Sequence, residues 1–276
     1  MRWQHSAVPE FQKKINMISK CISAIRILTV IPVPGKDTAV ISSSLPFFPF
    51  AGLVLSILTY AVYIITSNYI DITFLSGIII AGILYISTGG LHYDGIADIA
   101  DGFGSGKKRE KILEIFKDSR LGTFGVSVLI FDILLKVILY SWYCEHKLII
   151  IIIASLVLSR SFQALTLVFT ESATPGSGIG SAFCDKKRRL PVVISTLVVI
   201  SCCLLIVENP LPVVIIIATS LACVTIFITI CIKKIGGVTG DCIGAVNEIT
   251  EISILLTAVF FSHMITLRPF TGFLSR

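Results

Sequence analysis

The sequence predicts an all-α, polytopic integral membrane protein of about seven transmembrane helices, with an N-terminal interfacial or re-entrant segment. Three observations carry that reading. Of the 276 residues, 54% are hydrophobic and only 14% are charged, against about 25% charged in soluble domains; the mean hydropathy is +0.91. Seven apolar runs reach the roughly 17–25 residues that a membrane-crossing helix needs. Cations are distributed unevenly between the segments joining those runs.

Residues 1–46 form a basic amphipathic segment, and residues 47–276 a single transmembrane unit. Ile15 to Val30 is amphipathic with Lys20 and Arg26 inside it, which suits a helix lying at the interface. Ile31-Pro-Val-Pro-Gly35 ends it; a shallow re-entrant hairpin is the competing reading. The opening MRWQHSAVPEFQKK has no apolar core, so a cleaved signal peptide is not expected there. The seven runs lie near 47–66, 72–91, 126–143, 148–170, 191–207, 213–232 and 249–267. Segment 1–46 and the connections 92–125, 171–190 and 233–248 hold eighteen Lys and Arg, and the opposite side holds three, Lys147, Arg268 and Arg276. Lys and Arg gather on the cytoplasmic side, so the N-terminus and the long glycine-rich connections are expected to face the cytoplasm. The net charge of +6 is then loop charge, with no nucleic-acid partner. The eight cysteines form no CxxC pair and read as small core or lipid-facing residues.

Candidate chemistry concentrates in a few stretches. Asp94, Asp98 and Asp101 stand at i, i+4 and i+7, within a helical arc of roughly 60°. Like charges on one face repel, and a hard divalent cation with oxygen ligands would relieve them; Mg²⁺ commonly takes one or two carboxylates plus substrate phosphate. The plainer reading is an acidic helix start favoured by the macrodipole, but these aspartates abut a membrane-length run and alternate with glycine. Lys117-Asp118-Ser119-Arg120 follows, and the arginine fork suits phosphate oxygens; Lys107, Lys108 and Arg109 read as simple cytoplasmic-side charge. Arg160 lies inside an apolar run, where it needs a partner: a substrate phosphate, a site carboxylate or Asp132. Asp132 and Lys136 are spaced to pair with each other. Thr174 to Gly180 is a flexible glycine-rich loop without P-loop spacing. Finally, Asp241, Asn247, Glu248 and Glu251 stand at the start of the last run behind a glycine-rich stretch. Gly237, Thr239, Gly240 and Asn247 are candidates for contact with substrate phosphate, and Asp241, Glu248 and Glu251 for metal.

GGLHYDGIADIADGFGSG, KDSRLGTFG and GGVTGDCIGAVNEITE, with Leu28-Thr-Val-Ile-Pro-Val-Pro34 and Leu158-Ser-Arg160, resemble the signatures of the cobalamin synthase family, the adenosylcobinamide-GDP ribazoletransferases (cobalamin-5′-phosphate synthases). The resemblance runs from about residue 22 to 260. It implies transfer of the cobinamide phosphate from adenosylcobinamide-GDP to α-ribazole or its 5′-phosphate, with release of GMP, Mg²⁺ as the metal, and a place in the cytoplasmic (inner) membrane of a prokaryote. Partners would be those substrates, membrane lipids, and a second copy or other cobalamin-pathway enzymes. Asp94, Asp98 and Asp101 would hold metal, and one of them or Asp118 would take the proton from the attacking hydroxyl. Two rivals stand beside it. Asp94-Gly-Ile-Ala97 matches a fragment of the CDP-alcohol phosphotransferases, but their pattern continues with arginine where this chain has Asp98. A secondary transporter would suit intramembrane charge, but the halves show no internal repeat and the polar groups are expected to gather on one face.

Overall fold

The computed structural model describes residues 7–69, 72–176 and 178–268. The first six residues of the opening stretch, Ser177 of the Thr174–Gly180 loop and Arg276 lie outside the described residues. Eleven α-helices follow one another among them: α1 Ala7–Leu28, α2 Phe48–Tyr69, α3 Thr73–Thr88, α4 Leu91–Gly104, α5 Arg109–Ile115, α6 Thr123–Glu145, α7 Ile149–Phe169, α8 Gly178–Phe183, α9 Arg189–Ile206, α10 Leu211–Ile235 and α11 Gly240–Phe260. A 3₁₀ turn over Ile41–Phe47 leads into α2. The described residues contain no strand, only isolated bridges pairing Ser172 with Val238 and Val207 with Leu267.

Six helices, α2, α6, α7, α9, α10 and α11, are long and apolar enough to cross a membrane, and a seventh crossing exists only as the bent pair α3–α4. The run expected at 72–91 stops at Thr88 because Gly89 and Gly90 are both left-handed, with φ of 62° and 71°, a conformation glycine adopts without the Cβ penalty. The 16 residues of α3 reach about 24 Å at 1.5 Å per residue, short of the roughly 30 Å hydrocarbon core. α4 then leaves at 88°, turning its three aspartates away from the axis of α3.

The last crossing also differs from expectation. It begins at Gly240, nine residues before the expected 249, because Thr239 caps the helix by accepting a hydrogen bond from the Cys242 amide. Asn247, Glu248 and Glu251 therefore lie inside the span and not at its mouth. They are tolerated there because each is hydrogen-bonded to a neighbour, as polar groups in a membrane interior must be.

α7 and α11 are the most enclosed crossings, while α9 and α10 turn most of their surface outward. One apolar cluster joins Leu55, Ile80, Tyr140, Leu156 and Leu255 from α2, α3, α6, α7 and α11. A second holds Ala24, Ile25 and Leu28 of α1 against Phe48, Val168 and Ala245, so α1 is packed on the bundle. Small residues let helices approach closely in lipid. The crossing that positions the site is α4 over α11: a Cβ on Gly95 would stand 2.8 Å from the Asp241 carbonyl oxygen and 3.2 Å from the Gly244 Cα. Gly95→Ala should therefore lower thermal stability by about 1–3 kcal/mol, the usual cost of overpacking, as read by unfolding in detergent; an unchanged midpoint would show that this contact is loose.

Candidate active site

The three aspartates of α4 have different surroundings. Asp101 is committed to α6: it accepts hydrogen bonds from the backbone amides of Gly122 at 2.7 Å and Gly125 at 2.8 Å. These are orphan donors of the first turn of α6, and a carboxylate there is favoured by the helix dipole. A Cβ on Gly122 or Gly125 would fall 2.4 or 2.3 Å from Asp101 carboxylate oxygens, so both glycines of LGTFG make room for this cap. Asp94 is exposed and Asp98 half-buried, and among the described residues neither carboxylate has a hydrogen-bond or ion-pair partner. Partial burial, reinforced by the negative charges of Asp94, Asp241 and Asp101, pushes the Asp98 carboxyl up to about 7. Asp241, at the first turn of α11, accepts a hydrogen bond from the Thr239 hydroxyl at 3.1 Å. The α4 and α11 stretches, well over a hundred residues apart in sequence, thus build one acidic face across the Gly95–Gly244 crossing.

The glycine-rich connections are tied beneath that face. Gly237 packs backbone to backbone, with a Cβ position 2.5 Å from the Glu171 carbonyl oxygen. The Ala173 amide donates to the Val238 carbonyl and the Val238 amide to the Glu171 carbonyl, both at 2.9 Å. Gly180 lies against Gly240, 3.0 Å from its nitrogen at the Cβ position. Arg109 joins these segments: Nε donates to the Ile235 carbonyl and Nη2 to the Ala173 carbonyl, each at 2.7 Å. The expectation that Arg109 was mere loop charge is corrected. Its fork closes the C-terminus of α10 and fixes the 171–176 connection to the stretch leading into α11. Nothing in its local sequence, a run of three cations, distinguished it.

Lys117, Ser119 and Arg120 lie exposed on the connection before α6. Arg120 grips Asp118 through Nε at 3.0 Å and Nη2 at 2.7 Å. That pairing holds the Asp118 carboxyl down to about 2, which makes Asp118 a weak proton acceptor and leaves the α4–α11 carboxylates as better ones.

Deeper in the bundle, the expected second half of the metal set is already occupied. Lys136 of α6 donates to Glu248 and, at 2.9 Å, to Glu251. Arg160 of α7 donates to Glu251, and Asn247 donates to Glu248 at 3.0 Å and Glu251 at 2.9 Å. All are buried. Asn247, Glu248, Glu251 and Arg160 therefore form an intramembrane network, with Glu248 two turns further along α11 than Asp241. Arg160 pairs with Glu251 and not with Asp132. Asp132 stands 3.8 Å from Lys136 with neither oxygen hydrogen-bonded. Polar groups are thus not confined to one face, and that argument against a transporter does not stand. His92 of α4 sits over this network, its Nδ1 3.5 Å from Gln163 Nε2.

Among the described residues, no three His, Cys, Asp or Glu side chains stand close enough to hold a metal by themselves. The partnerless carboxylates of Asp94 and Asp98 nonetheless fit a hard cation that takes its remaining ligands from substrate phosphate and water.

The chain matches the cobalamin-5-phosphate synthase family over residues 20–259. It belongs to that family. Among relatives, one from Chlorobium phaeovibrioides is 33% identical over 243 residues, covering 88% of this chain and 97% of the relative. One from Clostridium tetani is 37% identical over 214 residues, covering 76% and 83%. One from Chlorobium phaeobacteroides is 36% identical over 244 residues, covering 87% and 97%. Each bears the name adenosylcobinamide-GDP ribazoletransferase. No solved structure matches the chain. Membership in the cobalamin-5-phosphate synthase family disfavours the lipid-enzyme and transporter readings.

Arg109→Lys keeps the charge but cannot make both carbonyl bonds of the fork. Losing two part-buried hydrogen bonds should cost about 1–3 kcal/mol, visible as a lower unfolding midpoint and faster proteolysis within 171–176. A variant as stable and as protease-resistant as the parent would return Arg109 to loop charge.

Proposed function

We propose that this chain is a cobalamin-forming transferase: it moves the cobinamide phosphate of adenosylcobinamide-GDP to a hydroxyl of α-ribazole or its 5′-phosphate, giving adenosylcobalamin or its 5′-phosphate, with GMP as leaving group. The observation that carries this reading is the match, over almost their full length, to relatives bearing that name; the acidic face supplies a matching chemistry. The hydroxyl oxygen attacks the cobinamide phosphorus, the bond to the bridging oxygen breaks, and that oxygen leaves on GMP. Asp94, exposed and without a partner among the described residues, is suited to take the hydroxyl proton. Mg²⁺, held by Asp98 and Asp241 with substrate phosphate, would neutralise charge on the departing nucleotide. Asp101 positions the start of α6 and so the connection carrying Lys117, Ser119 and Arg120. Arg120 is exposed and can swing from Asp118 to a phosphate. Gly237, Thr239 and Gly240 shape the entry to α11.

The eighteen-to-three cation bias supports a cytoplasmic face for this site, in the inner membrane of a prokaryote. Inverted membrane vesicles, cytoplasmic face outward, should therefore convert added adenosylcobinamide-GDP and α-ribazole to cobalamin and GMP in Mg²⁺, while sealed right-side-out vesicles should not. Asp98→Asn should insert normally and lose about 10²-fold or more in turnover. No product from inverted vesicles would refute the activity, and undiminished turnover in Asp98→Asn would refute the role of the acidic face.

A further inference from the structure

A cleft of about 710 Å³ opens between α1, the α3–α4 elbow and the start of α6. Its walls include Ile27, Tyr85, Tyr93, Leu129 and Ile133, and Asp94 lies on its border. It therefore meets the acidic face at one carboxylate. A second hollow of about 500 Å³ lies among apolar side chains of α2, α7, α9 and α10 and carries no charged group, so nothing there could engage a reacting hydroxyl.

The cleft's polar groups decide what it can take. Arg26 is its cation, and its guanidinium is already spent: Nη1 pairs with Asp37 at 2.8 Å, and Nη2 donates to the carbonyls of Val33 at 2.8 Å and Gly35 at 3.1 Å. The Thr29 hydroxyl donates to the Ile25 carbonyl and the Thr88 hydroxyl to the Leu84 carbonyl, at 2.8 and 2.9 Å. Asp94 alone remains as a charged group without a partner among the described residues. A diphosphate would find no available cation here. A flat, weakly polar ring would find aliphatic walls and two aromatic rings, Tyr85 and Tyr93, edge to face at 5.6 Å, the setting in which bases pack on aromatic side chains. Gly90 allows this arrangement: a Cβ there would lie 2.9 Å from the Tyr85 ring. The volume falls in the range of small-ligand sites, about 300–1,000 Å³. It suits a nucleoside, whereas the corrin macrocycle with its amide arms is far bulkier.

We propose that this cleft is the acceptor pocket: it holds the aromatic base of the ribazole against Tyr85 and Tyr93 and presents the ribose hydroxyl at Asp94, while the diphosphate donor approaches from the α11 side. This rests on the transferase reading above. Val30, Leu91 and Ile133 are all more than a third exposed, so the pocket is open on this side, away from α11, and the acceptor can enter without displacing the donor.

The test is steady-state kinetics on full-length protein in liposomes, with each substrate varied in turn. Ile133→Trp and Leu129→Trp fill the cleft from its α6 wall and touch no group assigned to chemistry. Each should raise KM for α-ribazole about ten-fold or more, with KM for adenosylcobinamide-GDP and kcat held within about two-fold. Ile138→Trp, on the same helix but outside the cleft, should change neither KM and reports on insertion and folding. An unchanged acceptor KM in both cleft variants, as a lipid-filled cleft would give, overturns the proposal while leaving the transferase reading intact. Equal rises in both KM values also overturn it. A parent protein that forms no cobalamin sinks the transferase reading and the pocket with it.

Discussion

The close crossing of α4 over α11 is the contact on which the site depends. A helix bearing three aspartates and a helix starting with a fourth would stand apart if side chains separated them by the usual 8–10 Å between axes. Gly95 and Gly244 remove those side chains, and the approach is close enough that a methyl group at Gly95 would meet backbone. The result is an acidic face that pays an electrostatic cost, visible in the raised Asp98 carboxyl. Such a cost is expected where charge is held ready for a ligand that will neutralise it.

What holds α11 in register for that crossing lies two turns deeper. Lys136, Arg160, Asn247, Glu248 and Glu251 join α6, α7 and α11 in a buried network. Ion pairs of this kind add little net stability compared with apolar packing, but breaking one costs about 3–5 kcal/mol, because the survivor is left buried and unpaired. The network therefore acts as a registration device: sliding α11 by a turn would strand several charges at once in the membrane interior. At the other end, the Asp101 cap on α6 and the Arg109 fork fix the connections around the acidic face, so the site is braced from three sides.

The fold was legible where composition and run length decide it. The long apolar crossings follow from hydropathy, and the aspartate triplet from its helical spacing. One error was local, and the others arise because pairing between distant residues is invisible along a single chain. Two consecutive glycines inside 72–91 broke a run that hydropathy treated as continuous. Glu248 and Glu251 were placed at a helix mouth because the partners that make them tolerable inside, Lys136 and Arg160, lie about ninety or more residues away. Arg109 was one cation in a run, and only the positions of the Ile235 and Ala173 carbonyls single it out. Conversely, Gly122 and Gly125 carried a local signal, glycine opening a helix beside an acidic motif, from which the Asp101 cap could have been anticipated.

The proposed cation-binding face joins the α4 and α11 stretches. Its most direct test is a double-mutant cycle read by thermal stabilisation across a Mg²⁺ titration, using the parent, Asp98→Asn, Asp241→Asn and the pair. Metal bound only by the folded protein raises its stability, and residues sharing one ligand couple. Either single change should remove most of the Mg²⁺-dependent stabilisation, and the second should add little. Independent, additive losses, or a parent that does not respond to Mg²⁺, would contradict it.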